Sequence, residues 1–167
     1  MMPPKIILSP IDFSSHSDDA VKVAADLASR LGSELYLVHV APMIPRLPSA
    51  SAIFHEAEYE EELHKDAQQR LIQLAGEFGK KGLVVKYAIG TANDTAMEIL
   101  RIAEHKNADL IVIATHGITG WRSLAFGSVT EKVVRLATCP VLVLRAQPAD
   151  ADSRESAKKP DSVTASR

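Results

Sequence analysis

Apolar residues in this chain follow two alternating patterns: short near-continuous runs, and longer stretches in which they recur every three or four positions. The runs are Lys5 to Ser9, Glu34 to Val40, Leu83 to Ile89, Asp109 to Ala114 and Pro140 to Leu144, and each predicts a strand. Between them lie helical patterns. Ser14, Ser15 and Ser17 offer N-caps, and Asp18 and Asp19 suit a first turn. Ala20, Ala24, Leu27, Ala28 and Leu31 then keep one face apolar up to Gly32, which is placed to end the helix. A second helix is expected from Glu56 to Gly79, with Leu63, Ala67, Leu71, Leu74, Ala75 and Phe78 inward. A third, Asp94 to His105, buries Ala96, Ile99, Leu100 and Ala103; a fourth runs from Ser128 to Ala137. Strand and helix alternate, and most strands are apolar on both sides. That predicts an α/β fold, a single open and mostly parallel five-stranded sheet with helices on both faces.

Pro42, Pro45 and Pro48 with Ser49 and Ser51 predict a loop over residues 41–55. From Ala146 the composition turns to Pro, Ala, Ser, Asp and Lys, too poor in large apolar residues to offset ordering entropy. Residues 1–146 are therefore expected to form one domain, and 147–167 a disordered tail. Hydrophobic residues at 46% and charged residues at 24% are ordinary for a globular chain. A net charge of −2 argues against nucleic acid as the main partner. No apolar run is long enough to span a membrane, and the run after Met1 is too short for a signal peptide. Cys139 is the single cysteine, so no internal disulfide can form; a reducing cytoplasm is the expected location.

The chemistry concentrates where the fourth strand runs into Thr115-His116-Gly117. Nine residues separate Gly117 from Gly127, and a helix is expected to begin at Ser128. Glycines let backbone approach a ligand closely, and a helix start offers unpaired N–H groups at the positive end of its dipole. The layout suits a phosphate-bearing ligand, most plausibly a nucleotide, held by main chain. Ser128 has a second reading, since Ser128 with Glu131 makes a capping box that needs no ligand. Asp12 can bond a ribose hydroxyl or simply stabilise the turn after the first strand. His116 lacks a carboxylate or serine partner and reads as structural. Trp121, Leu124 and Phe126 read as residues that dock on the sheet, Cys139 as a small apolar residue, and Glu60-Glu61-Glu62 as a solvated helix face.

These segments resemble the universal stress protein family over about residues 4–146. Its nucleotide-binding branch has Gly-x2-Gly-x9-Gly-Ser/Thr between strand four and helix four; here those positions hold Ala114, Gly117, Gly127 and Ser128. Pro10-Ile11-Asp12-Phe13-Ser14, Leu37-Val38-His39-Val40, Ala108-Asp109-Leu110-Ile111-Val112 and Pro140-Val141-Leu142-Val143 match other family segments in order. The resemblance implies a Rossmann-like sheet of order 3-2-1-4-5, of the adenine nucleotide alpha hydrolase-like kind, with a crevice where the order reverses. It implies adenine and ribose along Pro10, Ile11, Asp12 and Val40, and phosphates against Ile113, Ala114, Gly117, Gly127, Ser128 and Val129. The implied cofactor is ATP, or AMP, with Mg or Mn carried on the phosphates and at most weak hydrolysis. A homodimer through the Val141, Leu142, Val143, Leu144 edge strand is implied as well.

Two residues depart from the family pattern. Ala114 replaces the first glycine, which is tolerable at negative φ and costly at positive φ. Ile118 stands where a basic residue is common, and Arg122 is a neighbouring replacement for that charge. Three functions compete on these grounds: a nucleotide-binding regulatory protein, an interaction module with an empty pocket, and an ATPase. The last lacks a Gly-x4-Gly-Lys-Ser/Thr loop, a strand-linked Gly-x-Gly-x-x-Gly, a Ser/His/Asp signature and a placed base.

Overall fold

The computed structural model describes residues 3–43, 50–115 and 127–145, with residues 50–60 described by backbone alone. Five strands, β1 (Ile6–Pro10), β2 (Glu34–Pro42), β3 (Val85–Ala92), β4 (Leu110–Ala114) and β5 (Val141–Leu144), alternate with four helices. The helices are α1 (Ser15–Leu31), α2 (Ala50–Gly79), α3 (Thr95–His105) and α4 (Ser128–Leu136). The strands form one sheet in the order β3-β2-β1-β4-β5, with every pairing parallel. Successive strand residues point to opposite faces, so each face carries its own core. Ile7, Leu35, Leu37 and Val112 pack with α1 and with Leu71 of α2. Leu8, Tyr36, Val38, Ile111 and Ile113 pack with α3 and with Val133 of α4. Helices therefore cover both faces, as the alternation of elements implies.

Helix α1 begins at the N-cap Ser14, whose hydroxyl accepts from the Ser17 N–H. It ends at Gly32, in the left-handed region at φ 68°, with Ser33 N–H reaching back to the Ala28 carbonyl at 2.9 Å. Leu31 does not join the buried stripe: it is 42% exposed, and Val21 and Ala25 fill the face beside Ala20, Ala24 and Ala28. Regular structure enters the range 41–55 expected as loop from both ends. β2 runs on to Pro42 and α2 starts at Ala50, because no helix breaker follows Pro48 and Ser51 is tolerated in a helix. β3 likewise does not close at Gly90, which pairs with Val40 inside the ladder before the strand ends at Ala92. The expected tail, 147–167, lies outside the described residues.

One local feature opens the sheet. β1 pairs with β2 through Pro10↔Val38, but with β4 only through Ile7↔Leu110 and Leu8↔Ile111. Backbone groups of a strand face its two neighbours alternately, and the Ile11 N–H goes to Val38 of β2. Position 10 therefore faces β4, and a proline there has no N–H to give. The β4 carbonyls beyond that point find hydroxyls instead. Ser9 Oγ, fully buried, donates to the Val112 carbonyl at 3.0 Å. Thr130 Oγ1, from α4, donates to the Ala114 carbonyl at 2.6 Å.

Ser9→Ala leaves the Val112 carbonyl buried without that donor. A loss of about 1–3 kcal/mol is expected, seen as a lower urea midpoint at unchanged slope.

Candidate functional site

Where β1 and β4 part, a cavity of about 220 Å³ opens at the C-terminal edge of the sheet. Pro10, Ile11 and Asp12 enter it from the end of β1, Val40 from β2, Ile113 and Ala114 from β4, and Gly127, Ser128 and Val129 from the start of α4. The tenth expected site residue, Gly117, lies outside the described residues, as do His116, Ile118, Trp121, Arg122, Leu124 and Phe126. The cavity therefore gathers the nine described candidates from four separate segments. Ser17, Val38, Thr95, Ile99, Thr115 and Thr130 line it too.

The apolar part of the wall is Ile11, Val38, Val40, Ile99, Ile113 and Val129, well suited to a flat ring. The beginning of α4 borders the same cavity. Its N-cap is Gly127, with no side-chain capping bond, and Ser128 is the first helical residue. The Ser128–Glu131 capping box is therefore not formed: the Glu131 N–H makes an ordinary helical bond to the Gly127 carbonyl at 2.9 Å. The cap shifts to position 127 because the Gly127 N–H is already turned onto the Thr115 carbonyl, at 2.8 Å. Helix geometry leaves the N–H groups of Ser128, Val129 and Thr130 without an i−4 carbonyl, so they make an anion-attracting turn.

Glycine at 127 is set by distance and not by torsion. Its φ is −59°, open to any residue, but a Cβ there would stand 3.1 Å from the Thr115 carbonyl oxygen. Ala114 meets the milder condition set by its sequence. Among the described residues only Phe13 and Asn107 are non-glycines at positive φ, so its methyl carries no backbone strain.

Asp12 does serve the turn after β1. Its Oδ1 accepts from the Ser14 N–H at 3.0 Å and from the Ser14 hydroxyl at 2.5 Å. Burial pushes its pKa up, but the hydroxyls of Ser14 and Ser17 and the Ser14 N–H outweigh it, and the carboxyl stays below the ordinary value. It is the one acidic side chain among the described lining residues, and none of them is basic. Beside this turn Phe13 takes φ 61°, its ring 4.8 Å from that of His39, which in turn bonds the Ile11 carbonyl at 2.9 Å.

A profile described as the universal stress protein family matches residues 4–145. The chain belongs to that family. Universal stress protein MJ0531 of Methanocaldococcus jannaschii is 35% identical over 143 residues, 84% of this chain and 82% of that protein. The solved structure of MJ0577, from the same organism, superposes with a TM-score of 0.76 at 30% identity, over 89% of this chain and all of that one. A universal stress protein from Archaeoglobus fulgidus, solved in complex with dAMP, shares the fold at 22% identity and a TM-score of 0.58, over 86% of this chain and 98% of that one. The sheet order and the helix-covered faces described above are those of the family.

Of the lining residues the sequence reading missed, two had a visible signal. Thr95 follows Asp94, an N-cap whose side chain accepts from the Met97 N–H at 3.2 Å, so α3 also starts at this edge of the sheet. Thr130 stands in the first turn of α4. Ser17, Val38 and Ile99 gave none, since each also fits an ordinary core position. Among the described residues no group of three or more His, Cys, Asp or Glu side chains gathers to hold a metal. No described helix is long and apolar enough to cross a membrane.

A depressed Asp12 contributes stability that is present above the ordinary aspartate pKa of about 4 and is lost as pH falls through the lower, folded value. In Ser14→Ala the carboxyl should titrate higher, followed by carboxyl-carbon NMR, and the acid unfolding limb should move to higher pH. An unchanged midpoint would count against the hydroxyl as its stabiliser.

Proposed function

We propose that the protein is an adenine-nucleotide-binding regulatory member of the family, working in the cytoplasm as a homodimer. The observation that carries the reading is the meeting of an apolar slot with the uncapped start of α4 in one cavity. A base fits against Val40 and Ile113; ribose reaches the Asp12 carboxylate; phosphates meet the N–H groups of Ser128, Val129 and Thr130. Gly117 belongs with the phosphates in this reading. ATP is the expected ligand and AMP the shorter alternative. Mg or Mn rides on the phosphate oxygens, in keeping with an ion that binds through substrate phosphates and few carboxylates. The Archaeoglobus protein seen with dAMP supports the capacity of the fold, not the choice of residues here. Asp12 is committed to Ser14 through Oδ1, so the reading is one of binding and signalling, with hydrolysis at most weak.

A second reading, an interaction module that takes no nucleotide, draws on one observation. The described cavity wall offers an acid and no base, which is unfavourable to a triphosphate.

The dimer reading rests on β5. It pairs with β4 on one side only, as the last strand in the order, and Leu142 on it is 37% exposed. Val141, Leu142, Val143 and Leu144 would pair with the same strand of a second copy.

Calorimetric titration of nucleotide-stripped protein with Mg-ATP, and separately with AMP, tests the site. Micromolar ATP binding that Gly127→Val weakens at least about tenfold is expected, because the side chain must displace the Thr115 carbonyl. No heat and no thermal stabilisation at millimolar ATP would leave the interaction module. Sedimentation velocity at micromolar concentration should give a dimer that Leu142→Lys shifts toward monomer; a wild-type monomer would end the dimer reading.

A further inference from the structure

The described cavity wall lacks a basic side chain, yet a lysine is held by Asp94, the neighbour of the lining residue Thr95. Lys132 lies four residues after Ser128, hence on the same face of α4 one turn further on. Helical side chains lean toward the N-terminus of their helix, which carries the Lys132 ammonium back toward the uncapped turn. There it bonds Oδ2 of Asp94, the N-cap of α3, and the next residue, Thr95, lines the cavity. Lys132 therefore sits between the two helix starts that border the cavity. Its side chain is only 32% exposed, so its charge is less screened than that of a free surface lysine.

We propose that Lys132 is the cation that receives the phosphate charge of the ligand, with Asp94 holding it at the rim. This rests on the nucleotide reading above and extends it to a residue outside the glycine motif. An ammonium has three donors, so one can reach a phosphate oxygen while another stays on Asp94. Asp94 divides its work, Oδ1 accepting from the Met97 N–H and Oδ2 holding the lysine. Asparagine caps a helix as well as aspartate, so Asp94→Asn keeps α3 capped while removing the competing charge.

Calorimetry with Mg-ATP, AMP and adenosine, on the full chain and its variants, tests this. Lys132→Gln should weaken ATP by about five- to tenfold, AMP less and adenosine not at all, while Lys132→Arg restores most of the loss. Asp94→Asn should tighten ATP more than adenosine, because it removes both a competing acceptor for Lys132 and a negative charge beside the phosphates. If Lys132→Gln weakens ATP and adenosine alike, or neither, the lysine only braces the helices and the inference is overturned. Wild-type protein that takes up neither ATP nor adenosine overturns the nucleotide reading itself, and this inference with it.

Discussion

Everything at the site depends on the parting of β1 from β4. Parallel strands hold together by evenly spaced backbone bonds, and Pro10 removes a donor where those bonds would continue. A gap in the middle of a sheet is normally costly, because buried carbonyls go unpaired. Here hydroxyls answer two of them, Ser9 for Val112 and Thr130 for Ala114. Among the described residues no buried side-chain polar atom lacks a partner. The interruption thus leaves the Val112 and Ala114 carbonyls of β4 with donors of their own.

The same bonds set where α4 begins. Thr130 ties its first turn to β4, and Gly127 lies so close to Thr115 that no side chain fits between them without movement. Across the cavity Asp94 caps α3 and holds Lys132 of α4, so one carboxylate joins the two helix starts. Both helices bring positive dipole ends to this edge of the sheet, which is where a doubly wound α/β sheet places its ligands. The positive character of the described edge therefore comes mainly from backbone geometry, since none of the described lining residues is basic.

Much of the fold was legible because its signals are local and redundant. Strand runs such as Leu35 to Val38 and helix repeats such as Ala20, Ala24 and Ala28 state their burial in their spacing. Boundaries were less legible. Pro42 sits harmlessly at a strand end, and Gly90 lies within a ladder, although both residues read as breakers. At the site, the family resemblance implied ten residues, and the nine of them that are described line one cavity. The capping role of Ser128 was misplaced by one position, because the bond from Gly127 to Thr115 is a tertiary contact that no local spacing reveals. Thr95 and Ile99 were missed for a related reason: how far α3 leans over the cavity is set by tertiary packing, which its own spacing does not state. Lys132 was invisible in the sequence because its partner, Asp94, lies 38 residues away.

The hydroxyl bonds at the gap have a consequence for how a ligand would enter. With Ser9 and Thr130 already pairing the carbonyls of β4, no ladder has to be broken before the described walls are in place. Such a cleft is pre-organised: an incoming molecule displaces water, and no strand separation has to be driven by its affinity. A ligand would then meet described walls already formed, and the described scaffold would differ little between its empty and filled forms.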